Sequence, residues 1–100
     1  MEIIKYPLKV RYCKSGEMVY FSQLDIMHIF DRALRRTELP LYFTQGFTPR
    51  LKMSFGNALK LGVAGESEVT FYFLQEVSYD QLCQLLSNQL PEGLHLKGAD

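Results

Sequence analysis

The chain has 100 residues, of which 47% are hydrophobic, 13% aromatic and 22% charged, which fits one globular domain with its own core and argues against a disordered chain. Cys13 and Cys83 are the only cysteines, too few for a disulfide framework, a four-thiolate zinc site or an iron–sulfur cluster. Formal net charge is zero, yet residues 1–60 carry ten Lys/Arg against five Asp/Glu, and residues 61–100 carry one against six. No apolar run is long enough to cross a membrane, and the N-terminus lacks the pattern of a secretion signal. The expectation is a cytoplasmic domain spanning residues 1–100.

Leu8-Lys9-Val10-Arg11-Tyr12-Cys13 alternates as a strand, with Leu8, Val10 and Tyr12 on the inner face. Lys14 to Glu17 reads as a turn, and Met18-Val19-Tyr20 as a short returning strand. Ser22 is a good helix N-cap and Asp25 comes at the third helical position, a carboxylate at the positive helix end. Phe21 and Ile26 take staple positions, and Ile26, Ile29, Phe30, Ala33 and Leu34 form the apolar stripe. Asp31 and Arg35 form an i,i+4 pair, and Pro40 ends this helix by about Leu39.

Leu41 to Thr44 looks like a strand and Gln45 to Arg50 like a loop; Leu51 to Phe55 alternates again, with Lys52 and Ser54 outward. Gly56, Gly62 and Gly65 punctuate the stretch between this segment and the next strand. Ser67 to Leu74 is the clearest strand, with Val69, Phe71 and Phe73 inward and Glu68, Thr70 and Tyr72 outward. Ser78-Tyr79-Asp80-Gln81 is a capping-box sequence, with Val77 and Leu82 as its staple, and Leu82, Leu85, Leu86 and Leu90 continue an apolar stripe. Pro91-Glu92-Gly93 stops the helix before a last strand at Leu94 to Lys97.

The order βαββαβ is the ferredoxin-like split βαβ pattern, α+β, with an antiparallel sheet and both helices on one face. The stretch of about 40–65 is long for one hairpin, so an elaborated loop or an extra strand pair is expected there.

His28 and His95 are scattered from each other and from the cysteines, and neither sits in a nucleophile setting or among metal-ligand spacings. No metal or cofactor is expected. An RNA-recognition motif on the open sheet face would need outward aromatics, and only Tyr72 qualifies; Lys9 or Arg11 pairing with Glu68 is the competing use of that face. A second basic surface runs from Arg32 to Lys60, where six Lys/Arg face Glu38 alone. Arg32, Arg35, Arg36, Arg50 and Lys52, with Tyr42, Gln45, Gly46 and Phe47, form the candidate ligand-binding set: cations for phosphates, aromatics for bases, a glycine for close approach. The bland alternatives are a solvated face for the helical arginines and a core plug for Phe47. Packing of the basic half against the acidic half is another.

The blocks Phe21-Ser22-Gln23-Leu24-Asp25, Arg32-Ala33-Leu34-Arg35-Arg36 and Leu39-Pro40-Leu41 carry a family resemblance. So do Thr44-Gln45-Gly46-Phe47-Thr48-Pro49, Met53 to Leu59 and Leu61-Gly62-Val63. Together, over about Val10 to Gly93, the chain resembles the radical SAM-linked protein family, a domain of unknown function found fused to or encoded beside radical SAM proteins. The family loop commonly reads Asn-Pro-His-Pro where this chain has Thr48-Pro49-Arg50-Leu51. Members are usually longer, roughly twice this length, and this chain resembles their N-terminal half, as a part of a longer member or as a minimal one. The CxxxCxxC motif of the radical SAM core is absent. The resemblance implies a radical SAM enzyme as partner and a non-catalytic accessory role, with RNA or another polyanion as substrate. The competing expectation is a docking module for that partner or for self-association as a homodimer. An enzyme in its own right, such as a ribonuclease, lacks a clear acid–base pair.

Overall fold

The computed structural model describes residues 4–56 and 65–99. Four strands, β1 (Tyr6–Lys14), β2 (Met53–Phe55), β3 (Gly65–Phe73) and β4 (Leu94–Ala99), and two helices, α1 (Gln23–Arg35) and α2 (Tyr79–Leu86), run in the order β1-α1-β2-β3-α2-β4. The sheet is antiparallel throughout with spatial order β2-β3-β1-β4, consistent with the ferredoxin-like split βαβ fold expected. The sequence-predicted breaker Gly62 and the basic Lys60 lie outside the described residues.

Period-two alternation sets the inner face. Val10, Tyr12, Val69, Phe71 and Phe73 are buried, and the register Leu8↔Phe71, Val10↔Val69 and Tyr12↔Ser67 places them side by side across β1 and β3. Ile26, Phe30, Ala33 and Leu34 of α1 and Leu82 and Leu86 of α2 join the same core cluster. Phe30 is its hub, edge-on to Tyr12 at 5.4 Å and to Phe71 at 5.3 Å between ring centroids, geometries that aromatic quadrupoles favour. Burial pushes the Tyr12 hydroxyl to a higher pKa, partly offset by its hydrogen bond with Ser67.

The start of α1 is a full reciprocal capping box built on the predicted Ser22 cap and Asp25, whereas α2 shows the Ser78 arm of its predicted box. The Asp25 N–H donates to Ser22 Oγ at 3.2 Å, and the Ser22 N–H donates to the Asp25 carboxylate at 3.0 Å. At α2 the Gln81 N–H donates to Ser78 Oγ at 3.1 Å. The Ser22 N–H holds the Asp25 carboxyl below its ordinary pKa. Its contribution is therefore full above about pH 4 and fades as pH falls through the lower folded value. Ser22→Ala removes the hydroxyl arm and should cost about 1 kcal/mol in urea unfolding, whereas Asp25→Ala removes the carboxylate arm, so its gap to the parent chain should narrow in acid. A pH-independent gap would mean that the carboxylate arm of the box contributes nothing.

Two elements differ from expectation. Met18 to Tyr20 is not a strand but part of a 3-10 helix, Gly16–Tyr20, with Met18 and Val19 buried. The reason is topological. At Tyr12 to Lys14, β1 is already paired with β3 on one edge and β4 on the other, so no edge remains for a returning strand. The segment instead closes on local bonds, Met18 N–H to the Ser15 carbonyl and Phe21 N–H to the Met18 carbonyl. Lys14, itself buried, donates from Nζ to the Phe21 carbonyl at 3.2 Å and ties this turn to the sheet. Helix α1 also stops earlier than Pro40 requires. The Thr37 hydroxyl donates to the Leu34 carbonyl at 2.6 Å and accepts from the Leu39 N–H, ending the helical ladder locally.

The expected elaboration after Pro40 is a small hairpin. Leu41 bridges Phe73 and Phe43 bridges Leu51. The Lys52 N–H donates to the Tyr42 carbonyl at 3.1 Å and the Thr44 N–H to the Arg50 carbonyl at 2.7 Å. Among the described residues no helix is long and apolar enough to cross a membrane.

Candidate functional site

The hairpin formed by residues 41–52 extends the sheet beside the end of β3, and its two faces carry different chemistry. Tyr42 is tied into the sheet, donating its N–H to the Tyr72 carbonyl at 3.1 Å. Tyr72 points to the face away from the helices. The Lys5 ammonium lies 5.6 Å from the centre of the Tyr72 ring and 5.7 Å from that of Tyr42. The Lys52 ammonium lies 5.3 Å from the centre of the Tyr72 ring. Ser54 Oγ is 3.3 Å from the Tyr72 hydroxyl. All three cation–ring separations are within the roughly 6 Å at which the ring quadrupole attracts a cation.

On the helix side of the same hairpin, the Arg35 guanidinium lies 5.0 Å from the centre of the Phe43 ring and is paired with Asp31 one turn back. At the tip, Gln45 donates from its side-chain amide to the Phe43 carbonyl, and the Arg50 N–H donates to Thr44 Oγ1. These bonds hold the loop closed from inside and leave its outer side chains to solvent. Phe47 is fully exposed, so it does not plug the core, and Gly46 and Arg50 are exposed beside it.

The nine candidate residues thus do not form one patch. Tyr42 and Lys52 belong to the open sheet face. Arg35, Gln45, Gly46, Phe47 and Arg50 line the flank and tip of the hairpin. Arg32 and Arg36, one turn apart on another flank of α1, line a hollow with Ile29, Gln89, Leu90 and Pro91. Sequence reasoning missed Lys5 and Phe43. Lys5 precedes the first recognisable alternation, and its use depends on the Tyr6↔Phe73 register, which no local pattern reveals. Tyr72 and Lys52 were both legible as outward residues, but their meeting depends on the sheet order.

At the Tyr72 end of the open face the cations lie over aromatic rings. Farther along, Lys9 pairs with Glu68 at 3.1 Å, the use of that face expected from the outward residues. Near β4, Cys13 lies across from His95, and both cysteines are free thiols. Tyr79 on α2 has its hydroxyl pKa pushed up to about 12, chiefly by burial and by the hydrogen bond with Cys83. Among the described residues no three His, Cys, Asp or Glu side chains come together as a metal site.

A ring with ammoniums over it is chemically suited to an anionic ligand that also carries a flat group. The cations meet the charge and the ring offers a stacking surface. No curated protein and no solved structure matches the chain. Residues 7–100 match the model of a family described as uncharacterized proteins conserved in bacteria, DUF2344. The match takes in every described strand and both helices apart from the first residue of β1, and the chain belongs to that family.

Proposed function

We propose that the chain is a non-catalytic recognition domain that binds RNA, or another polyanion, along the 41–52 hairpin, and that it works beside a radical SAM enzyme. One observation carries the reading of the ligand: cations and aromatic rings alternate around this hairpin, with Lys5 and Lys52 over Tyr72 and Arg35 over Phe43. Phe47 and Arg50 stand exposed at its tip. Interleaved cations and rings are what a single strand needs, since phosphates recur along it and every base has a face to stack. The enzyme partner rests on the resemblance carried by the 21–25, 32–36 and 44–49 blocks.

Fluorescence anisotropy with a labelled single-stranded RNA tests the reading. Three cations, Lys5, Arg50 and Lys52, should give a salt slope of about −2, or about twentyfold weaker binding between 50 and 200 mM salt. The double variant Lys5→Gln/Lys52→Gln should flatten the slope by about 1.4. Tyr72→Ala should remove about 1–3 kcal/mol of stacking. Binding indifferent to salt and to these substitutions would sink the reading.

A second reading, a docking module for the enzyme or a second copy, is favoured by Tyr20, Phe21 and Leu24. These exposed apolar side chains cluster at the start of α1, with Tyr20 70% and Leu24 57% exposed. Absence of RNA binding even at low salt would shift the function to that surface.

A further inference from the structure

The hollow between α1 and the segment after α2 lies away from the Tyr72 face. Its lining is Ile29, Arg32, Arg36, Gln89, Leu90 and Pro91, around a volume of about 290 Å³. We propose that it is a binding site for a nucleotide phosphate monoester, with the phosphate on the Arg32 and Arg36 guanidiniums and the flat base against Ile29, Leu90 and Pro91. The proposal deepens the RNA-binding function, and it rests on that reading for the claim that the nucleotide can be the phosphorylated end of an RNA strand.

Three observations support it. First, the two arginines are spaced i,i+4 on one flank of α1, where like charges face each other and repel. Among the described residues neither forms an ion pair, whereas the neighbouring Arg35 is held by Asp31. The C-terminal end of a helix favours cations, which explains their presence there but not the convergence of both on one hollow. A dianion between them removes the repulsion, and two guanidinium forks match the oxygens of a terminal phosphate better than the single charge of an internal diester. Second, the remaining lining is apolar apart from the Gln89 amide. A bare inorganic anion would leave Ile29, Leu90 and Pro91 unused, while a base would cover them and Gln89 can bond to its edge. Third, the volume lies just below the roughly 300–1,000 Å³ of small-molecule sites, room for at most one nucleotide rather than a strand. A second hollow is lined by Ser15, Gly16, Glu17, Glu92, Gly93 and His95. Its two carboxylates oppose a phosphate, so of these two hollows the Arg32–Arg36 one suits it.

Titration of the full chain at low salt, read by NMR shifts and calorimetry, decides the matter. The probes are adenosine 5′-monophosphate, adenosine, inorganic phosphate, and a short oligoribonucleotide with either a 5′-phosphate or a 5′-hydroxyl. The monophosphate should bind and shift the 29–36 and 89–91 amides, with adenosine and inorganic phosphate each weaker by about tenfold or more. Arg32→Gln and Arg36→Gln should each weaken it by at least about tenfold, with Lys97→Gln on β4 unchanged. Thermal melts of the variants should match the parent, because both side chains are exposed. Tighter binding of the 5′-phosphorylated oligomer than of the free nucleotide identifies a strand end as the source, and the reverse identifies a free nucleotide. Equal binding of adenosine and its monophosphate, or indifference to both arginine substitutions, overturns the site. If the two oligomers bind equally, depend on Lys5 and Lys52, and ignore Arg32 and Arg36, the hairpin reading stands and this one falls. If the mononucleotide binds through Arg32 and Arg36 while neither oligomer binds, the hairpin reading falls and this one stands.

Discussion

Phe30→Ala is expected to lower folding stability by about 3–5 kcal/mol, the cost of emptying a buried aromatic site that cannot collapse. The side chain is fully buried, and its ring meets one partner on each of three strands: Tyr12 on β1, Phe71 on β3 and Phe55 on β2 at 6.3 Å. No neighbour can fill the hole without breaking an edge-on contact elsewhere. Domains of this size hold about 5–15 kcal/mol in total, so about a fifth or more of the stability should go. Urea denaturation measures it directly as a fall in midpoint at unchanged slope. The Phe55 contact adds a functional consequence, since β2 continues the strand that carries Lys52. The variant, where still folded, should show faster amide exchange at 51–55 and weaker RNA binding. A loss in the range of surface substitutions, within about 0.5 kcal/mol, would mean that α1 does not seat Phe30 against the sheet.

Gly93→Ala should be the most damaging single-methyl change. Gly93 has φ +92°, and a Cβ there would stand 2.5 Å from the Ser15 carbonyl oxygen. Backbone conformation alone costs a side chain about 1–3 kcal/mol in such a region. The overlap adds to this because the atom it meets is backbone, held in place by the Ser15 N–H donating to the Gly93 carbonyl at 2.8 Å. Relief requires moving either the turn into the 3-10 helix or the start of β4. Gly16→Ala is the matched control. It too has a positive φ, +60°, but nothing lies within 4 Å of its added methyl, so only the left-handed conformation, about 1–2 kcal/mol, is at stake. Thermal melts of the two variants should rank Gly93→Ala clearly below Gly16→Ala. The opposite ranking would mean that the contact between the two turns is not fixed in solution.

Local signals in the chain carried far. The Ser22–Asp25 reciprocal cap, the Ser78 cap, the Asp31–Arg35 pair and the alternation of Val69, Phe71 and Phe73 each depend on residues within four positions of one another. Such patterns survive whatever the rest of the chain does. The βαββαβ order came from them, and with it the antiparallel sheet, because right-handed crossovers leave few other solutions.

Tertiary structure decided what depends on which strand edges are used and which faces meet. Gly16 to Tyr20 became a 3-10 helix because β1 lies between β3 and β4 and has no edge to spare. The basic segment from Arg32 to Lys52 is continuous in sequence, but α1 turns Arg35 toward Phe43 and Arg32 and Arg36 toward the hollow, and the hairpin carries Lys52 to the opposite side of the sheet. Lys5 joins Tyr72 from the far end of the chain through the pairing of β1 with β3. Composition and periodicity determine which residues are inside, since burial of apolar surface is satisfied along each element separately. Which exposed residues become neighbours is determined only when the sheet closes, because that pairing is a property of the contacts between distant segments.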